Sequence, residues 1–234
     1  MEPYQRLVLF FGEMRRSIRH FALGLVLTTL ACTFGAPWLL QALQTHLGEK
    51  LYFFAVADPF LAHVKLAFFA AVFLLMPWLL LLVWRGLGRA FGLAERSLGW
   101  FVAGNSLLFY LGLAFCLLLT LPYGVKFLLG FQSAQLTAVI SIGRFVDFVL
   151  LFLLAFGLIF QVPMLMLFCG RVGVSHVFFA RNRRYAVLVI SIVAALLTPT
   201  PDLVNMALMG GPLYLLYEVG ILLIRWGAPG KQGA

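Results

Sequence analysis

The chain has 234 residues, of which 63% are hydrophobic and only 11% charged, with a mean hydropathy of +1.03 and a formal net charge of +9. Soluble domains are roughly 45–50% apolar and about 25% charged, so these few charges cannot cover a water-facing surface, and a soluble fold is excluded. The length accommodates several membrane spans of ~20 residues with short loops and no additional globular domain.

The first stretch, Met1 to His20, is charged and contains no short apolar run followed by a small-residue cleavage site, so it does not read as a removable signal peptide. Apolar segments follow at about residues 18–44, 60–84, 98–125, 146–170, 185–198 and 206–226. They predict an all-α integral membrane protein with six transmembrane helices. The first four segments are long enough for a hydrocarbon core of ~30 Å at a rise of ~1.5 Å per residue. The last two are predicted to be short. Between Tyr185 and Thr198 a helix would measure roughly 21 Å before Pro199 and Pro201, which requires a thinned bilayer or an oblique path. Pro77, Pro122, Pro163 and Pro212 fall inside the apolar segments, where a missing N–H and a clash with the preceding turn predict kinked helices; simple tolerance of proline in membrane helices is the other reading. Residues 1–226 form one expected domain, and the Gly/Lys-containing tail 227–234 is expected to be disordered. Cys32, Cys116 and Cys169 stand singly within apolar runs and read as small core residues.

Lys and Arg concentrate in cytoplasmic loops of membrane proteins. Arg6, Arg15, Arg16, Arg19, Arg85, Arg89, Arg96, Arg171, Arg181, Arg183, Arg184, Arg225 and Lys231 fall on one side of the six segments; only Lys50, Lys65, Lys126 and Arg144 fall on the other. Both termini are therefore predicted to be cytoplasmic. The net charge is largely this asymmetry, attracts anionic lipid headgroups and calls for no nucleic-acid partner.

Motifs for catalysis are missing. Gly230-Lys231 lacks the upstream glycine and following Ser/Thr of a phosphate-binding loop, so no ATP site is expected. No two of His20, His46, His63 and His176 have the spacing of a helical His-Glu-x-x-His metal site. Gly104-Asn105-Ser106-Leu107 lacks the glycine expected after the serine of an intramembrane serine protease. Neither an enzyme nor a cofactor or metal is expected.

Six ordered fragments carry a resemblance to a known family. The start Phe11-Gly12-Glu13-Met14-Arg15-Arg16 resembles the signature His-Leu-x-Glu-Leu-Arg. Pro59-Phe60 with Lys65, then Pro77, Trp84 and Glu95-Arg96, keep the order of a second span and first cytoplasmic loop. Phe156-Gly157 with Gln161-Val162-Pro163, Arg183-Arg184-Tyr185, Thr198-Pro199-Thr200-Pro201-Asp202, and Pro212-Leu213 with Leu216-Tyr217-Glu218 follow. Over residues 10–226 the chain resembles TatC, the six-span receptor subunit of the twin-arginine protein translocase. It departs from the pattern at Phe10 in place of histidine, Gly86 in place of phenylalanine, Arg89 in place of proline, and Gln161 where many members carry glutamate.

The resemblance implies a receptor and scaffold in a proton-gradient-driven translocase of the bacterial inner membrane, which exports folded proteins. Its partners would be TatA-like and TatB-like single-span subunits and twin-arginine signal peptides, in a homo- or hetero-oligomer. Arginine binds a carboxylate through two parallel charge-assisted hydrogen bonds, a geometry lysine does not reproduce. Glu13 and Glu95 are thus the candidate signal-peptide residues, with Arg15 and Gln161 beside them. The alternative assigns Glu13 to Arg15 or Arg16, and Glu95 to Arg96 or Arg89, as local ion pairs. Glu218, inside the last segment, is costly in lipid and reads either as functional or as hydrogen-bonded to a tyrosine or a backbone carbonyl. Gln161 either lines a cleft or bonds across helices. Asp202 reads as a helix cap, and Lys126, Arg144 and Asp147 as groups snorkelling at outer span ends. A proton-coupled small-solute transporter is the other function class. Such proteins normally bury charge near the midplane of several spans and often show repeated halves, and neither pattern is evident here.

Overall fold

The computed structural model describes residues 3–48, 51–91, 95–130, 139–197 and 203–227, with side chains omitted at 3–16, 89–90, 95–97, 128, 196–197, 203–205, 207–208 and 227. Pro199, Pro201, Asp202, the Gln132 loop and tail residues 228–234 lie outside the described residues. The helices are α1 (Pro3–Leu47), α2 (Asp58–Phe91), α3 (Glu95–Phe115), α4 (Leu121–Leu129), α5 (Ile142–Ile159), α6 (Val162–Val172), α7 (His176–Arg181), α8 (Arg183–Leu197) and α9 (Leu203–Gly227). Two short strands, β1 (Leu51–Tyr52) and β2 (Ile140–Ser141), pair in parallel with Leu51 opposite Ile140 and Tyr52 opposite Ser141.

Each predicted apolar segment lies on this helical framework. Ser17–Leu47, Asp58–Gly88, Leu98–Phe127 and Ile142–Val172 are long and apolar enough to cross a membrane. Helix α8 is the short one at 15 residues, about 22 Å at ~1.5 Å per residue. The expectation that the last segment is also short is corrected: helix α9 has 25 residues, enough at ~1.5 Å per residue for a hydrocarbon core of ~30 Å.

The prolines do not act alike. Pro37, Pro77 and Pro212 sit within continuous helices. Pro122 follows a π-helical turn over Cys116–Thr120, in which the Leu121 N–H reaches the Cys116 carbonyl. A proline N–H is missing one residue later, and the wider turn re-routes the bonding ahead of it. Pro163 opens α6 immediately after the helix is interrupted at Phe160 and Gln161.

The chain forms two compact units. Residues 1–107 and 131–151 make the first, in which α1 and α2 pack along their length. Phe21 meets Trp78 edge to face at 5.7 Å, and Trp84 stacks on Phe101 of α3 at 4.6 Å. Ala36 of α1 and Ala67 and Ala71 of α2 are fully buried, small residues of the kind that let membrane helices approach closely.

Residues 108–130 and 152–234 make the second unit. Its helix pairs are close: a Cβ on Gly157 would lie 2.5 Å from the Phe109 ring, and one on Gly220 2.5 Å from the Met166 sulfur. A side chain at Gly157 would push on the Phe109 ring, and one at Gly220 would displace the Met166 side chain. Phe115 stacks against Phe156 at 5.8 Å, and Met166, Ile221 and Ile224 form a buried cluster between α6 and α9. Helix α6 ends at Gly173, whose φ of +114° suits glycine; Ser175 then caps α7 by accepting the Val177 N–H.

Candidate functional site

Glu13 and Arg15 lie in the first part of α1, ahead of its apolar span, and Glu95 is the first residue of α3. Their side chains fall outside the described residues. The surrounding packing is nevertheless informative. Trp78 of α2 sits beside Phe21 and Gly24, early in α1, and Trp84 sits beside Phe101, early in α3. Residues early in α1 and early in α3 thus both pack against the C-terminal half of α2.

Gln161 occupies the interruption between α5 and α6 and is only 6% exposed. In an unbroken helix its backbone N–H would bond to the Gly157 carbonyl; here it bonds to Leu158 at 3.0 Å. The side chain replaces it, with Nε2 donating to the Gly157 carbonyl at 3.2 Å. An amide makes this bond at any pH, whereas a glutamate at this position donates only when protonated.

Glu218 accepts two hydrogen bonds, from Arg183 Nη2 at 2.8 Å and from the Tyr214 hydroxyl at 2.7 Å. The tyrosine is one helical turn away on α9, so that contact follows from spacing alone. Arg183 comes from the start of α8, and nothing local to Glu218 announces it. Tyr217 donates to the Phe179 carbonyl at 2.9 Å, tying α9 to α7. An acidic residue of α9 is thereby paired with a cation from the start of α8.

In the first unit, Asp147 accepts from Lys65 Nζ at 2.6 Å. The expectation that Asp147 merely snorkels is corrected: it has a specific cationic partner 82 positions earlier in the chain. Between α8 and α9 a groove of about 310 Å³ is lined by Val187, Ile190, Ser191, Met206, Gly210, Gly211 and Tyr214.

A family model described as Sec-independent protein translocase protein (TatC) matches residues 10–212. The chain belongs to the TatC family. It is 34% identical over 187 residues to the TatC protein of Carboxydothermus hydrogenoformans, covering 79% of this chain and 77% of that one. It is 27% identical over 236 residues to the TatC of Escherichia coli K12, with 97% and 90% covered. Its fold matches a crystal structure described as the twin arginine translocase receptor TatC with a TM-score of 0.77 and 25% identity, covering 92% of this chain and 98% of that one. This TatC protein is therefore a multi-pass membrane component of the Sec-independent translocase, and these matches lend nothing to the solute-transporter reading. The family's descriptions name a translocase and not an enzyme.

Proposed function

We propose that this TatC protein is the twin-arginine signal-peptide receptor and scaffold of a translocase that exports folded proteins across a bacterial inner membrane, driven by the proton gradient. The observation that carries the reading is the family match over residues 10–212 together with the TatC fold. In this reading residues 1–226 form a single domain that crosses the membrane six times, both termini are cytoplasmic, and 227–234 is a disordered tail. TatA-like and TatB-like single-span subunits join it in an oligomer. The groove between α8 and α9 supports such partners: glycines and a serine at its floor permit the close approach by which membrane helices associate.

Glu13 and Glu95 receive the two arginines of the signal peptide, with Arg15 and Gln161 contributing to the cleft. The cytoplasmic face carries a large excess of cations and repels a cationic peptide except where its few carboxylates gather. Each charge-assisted hydrogen bond contributes ~1.5–3 kcal/mol in favourable geometry, so losing one carboxylate weakens binding by about an order of magnitude or more. Glu13→Gln and Glu95→Gln are expected to lower affinity for a twin-arginine peptide much more than for a twin-lysine control, at unchanged protein abundance. Intact binding with reduced abundance would instead identify both residues as members of local ion pairs.

A further inference from the structure

The connection from α1 to α2, residues 48–57, begins Gly48-Glu49-Lys50 and continues as the uncharged run Leu51-Tyr52-Phe53-Phe54-Ala55-Val56-Ala57 up to Asp58. A connection bathed in water is ordinarily polar. This one exposes Phe53 at 64%, Phe54 at 72% and Val56 at 96%, and continues into Phe60 at 69%. We infer that this aromatic turn is a membrane anchor, seated at the boundary between headgroups and acyl chains of the leaflet at this end of α1 and α2.

Two observations carry the inference. First, the patch continues the surface that the two spans present to lipid. Leu61 and Val64 of α2 are exposed just after it in sequence, and Trp38 is exposed on the last part of α1, both on stretches long and apolar enough to cross the bilayer. The exposed Tyr52 and Trp38 carry the amphipathic rings that favour this depth, and the phenylalanine rings add apolar surface that buries among the acyl chains.

Second, much of the backbone of the turn has internal partners. Non-helical backbone is costly in a lipid environment unless its N–H and C=O groups are bonded. Asp58 Oδ2 accepts from the N–H groups of Phe54 and Ala55 at 3.3 and 3.2 Å. The Asp58 N–H returns to the Ala55 carbonyl at 3.0 Å, and the Leu61 N–H takes the Ala57 carbonyl at 3.0 Å. Leu51 and Tyr52 pair with Ile140 and Ser141. The Asp58 carboxylate is thus engaged by backbone donors of the turn, while Phe53, Phe54 and Val56 are exposed.

The anchor is tested with spin labels at Phe54→Cys and, separately, at Val56→Cys, in protein with Cys32 and Cys169 replaced by serine and the buried Cys116 retained, reconstituted in liposomes. Val56 is almost fully exposed, so its replacement folds even if the Phe54 variant does not. Labels in the anchor are expected to relax by collision with oxygen more than with a water-soluble nickel chelate. The same cysteines left unlabelled are expected to react with a membrane-impermeant maleimide about tenfold more slowly than a water-exposed thiol. Dominant collision with the nickel chelate would place the turn in water and overturn the proposal. Shielding from both reagents would place it against protein, another copy or a partner subunit, and would overturn it equally.

Discussion

At the scale of single residues, the second unit contains a hydrogen-bonded triad of Arg183, Glu218 and Tyr214 whose members differ in what their removal leaves behind. Arg183→Ala strands the Glu218 carboxylate with only Tyr214, whereas Glu218→Gln keeps a hydrogen-bond acceptor for Tyr214 and frees an arginine that lies half-exposed at a helix start. Leaving a charge without its counter-ion in a span costs more than losing the pair outright. Arg183→Ala is therefore expected to destabilise the protein by about 1 kcal/mol or more, with the partial exposure of the pair keeping the loss modest. Glu218→Gln is expected to cost less, and the double variant to recover most of the Arg183→Ala loss. Thermal inactivation of the three variants in proteoliposomes checks the order; equal losses would show that the Arg183 side chain matters for packing and not for charge. The sequence made Glu218 conspicuous and offered Tyr214 by spacing. Arg183, 35 residues earlier, became a partner only through the packing of α8 and α9.

Among the elements, α8 is the exception to the bilayer's length rule. Its 15 residues span about 22 Å against a hydrocarbon core of ~30 Å, and local thinning of the bilayer must close the difference of ~8 Å, since tilt would only shorten its reach. A one-turn apolar insertion in α8 is expected to impair assembly or export more than the same insertion in α1, whose apolar stretch has 31 residues to draw on. Export assays on the two insertion variants compare them directly, and equal tolerance would remove the thinned-bilayer reading. Prolines illustrate where sequence reasoning about elements runs out. Pro122 and Pro163 stand at a π-turn and at a helix interruption, while Pro37, Pro77 and Pro212 leave their helices continuous. The missing N–H is the same in all five. What differs is the local partner: at Gln161 a side-chain amide takes over the Gly157 carbonyl and makes the interruption tolerable in an apolar environment.

For the whole molecule, the distribution of Lys and Arg predicts the orientation. An impermeant thiol reagent added from outside is expected to label single cysteines placed at Lys50 and Gln132, and not one placed at Asn182, in a background lacking the native cysteines. Labelling at Asn182 instead would invert the topology. Sequence alone determined that this chain lives in a membrane, where the helices run and which family it resembles. Those properties depend on composition, on the local period of the helix and on ordered short motifs, all of which are additive along the chain. It could also single out Glu13 and Glu95 as scarce carboxylates on a basic face within family-like motifs, and Gln161 and Glu218 as polar groups inside apolar segments. Which distant groups answer those residues was decided only by tertiary structure. Lys65 with Asp147, Arg183 with Glu218, and the glycines that admit Phe109 and Met166 are each set by helices meeting across long sequence separations. A hydrogen bond or a close contact requires atoms placed to within a fraction of an ångström, and no local pattern in the chain encodes that placement.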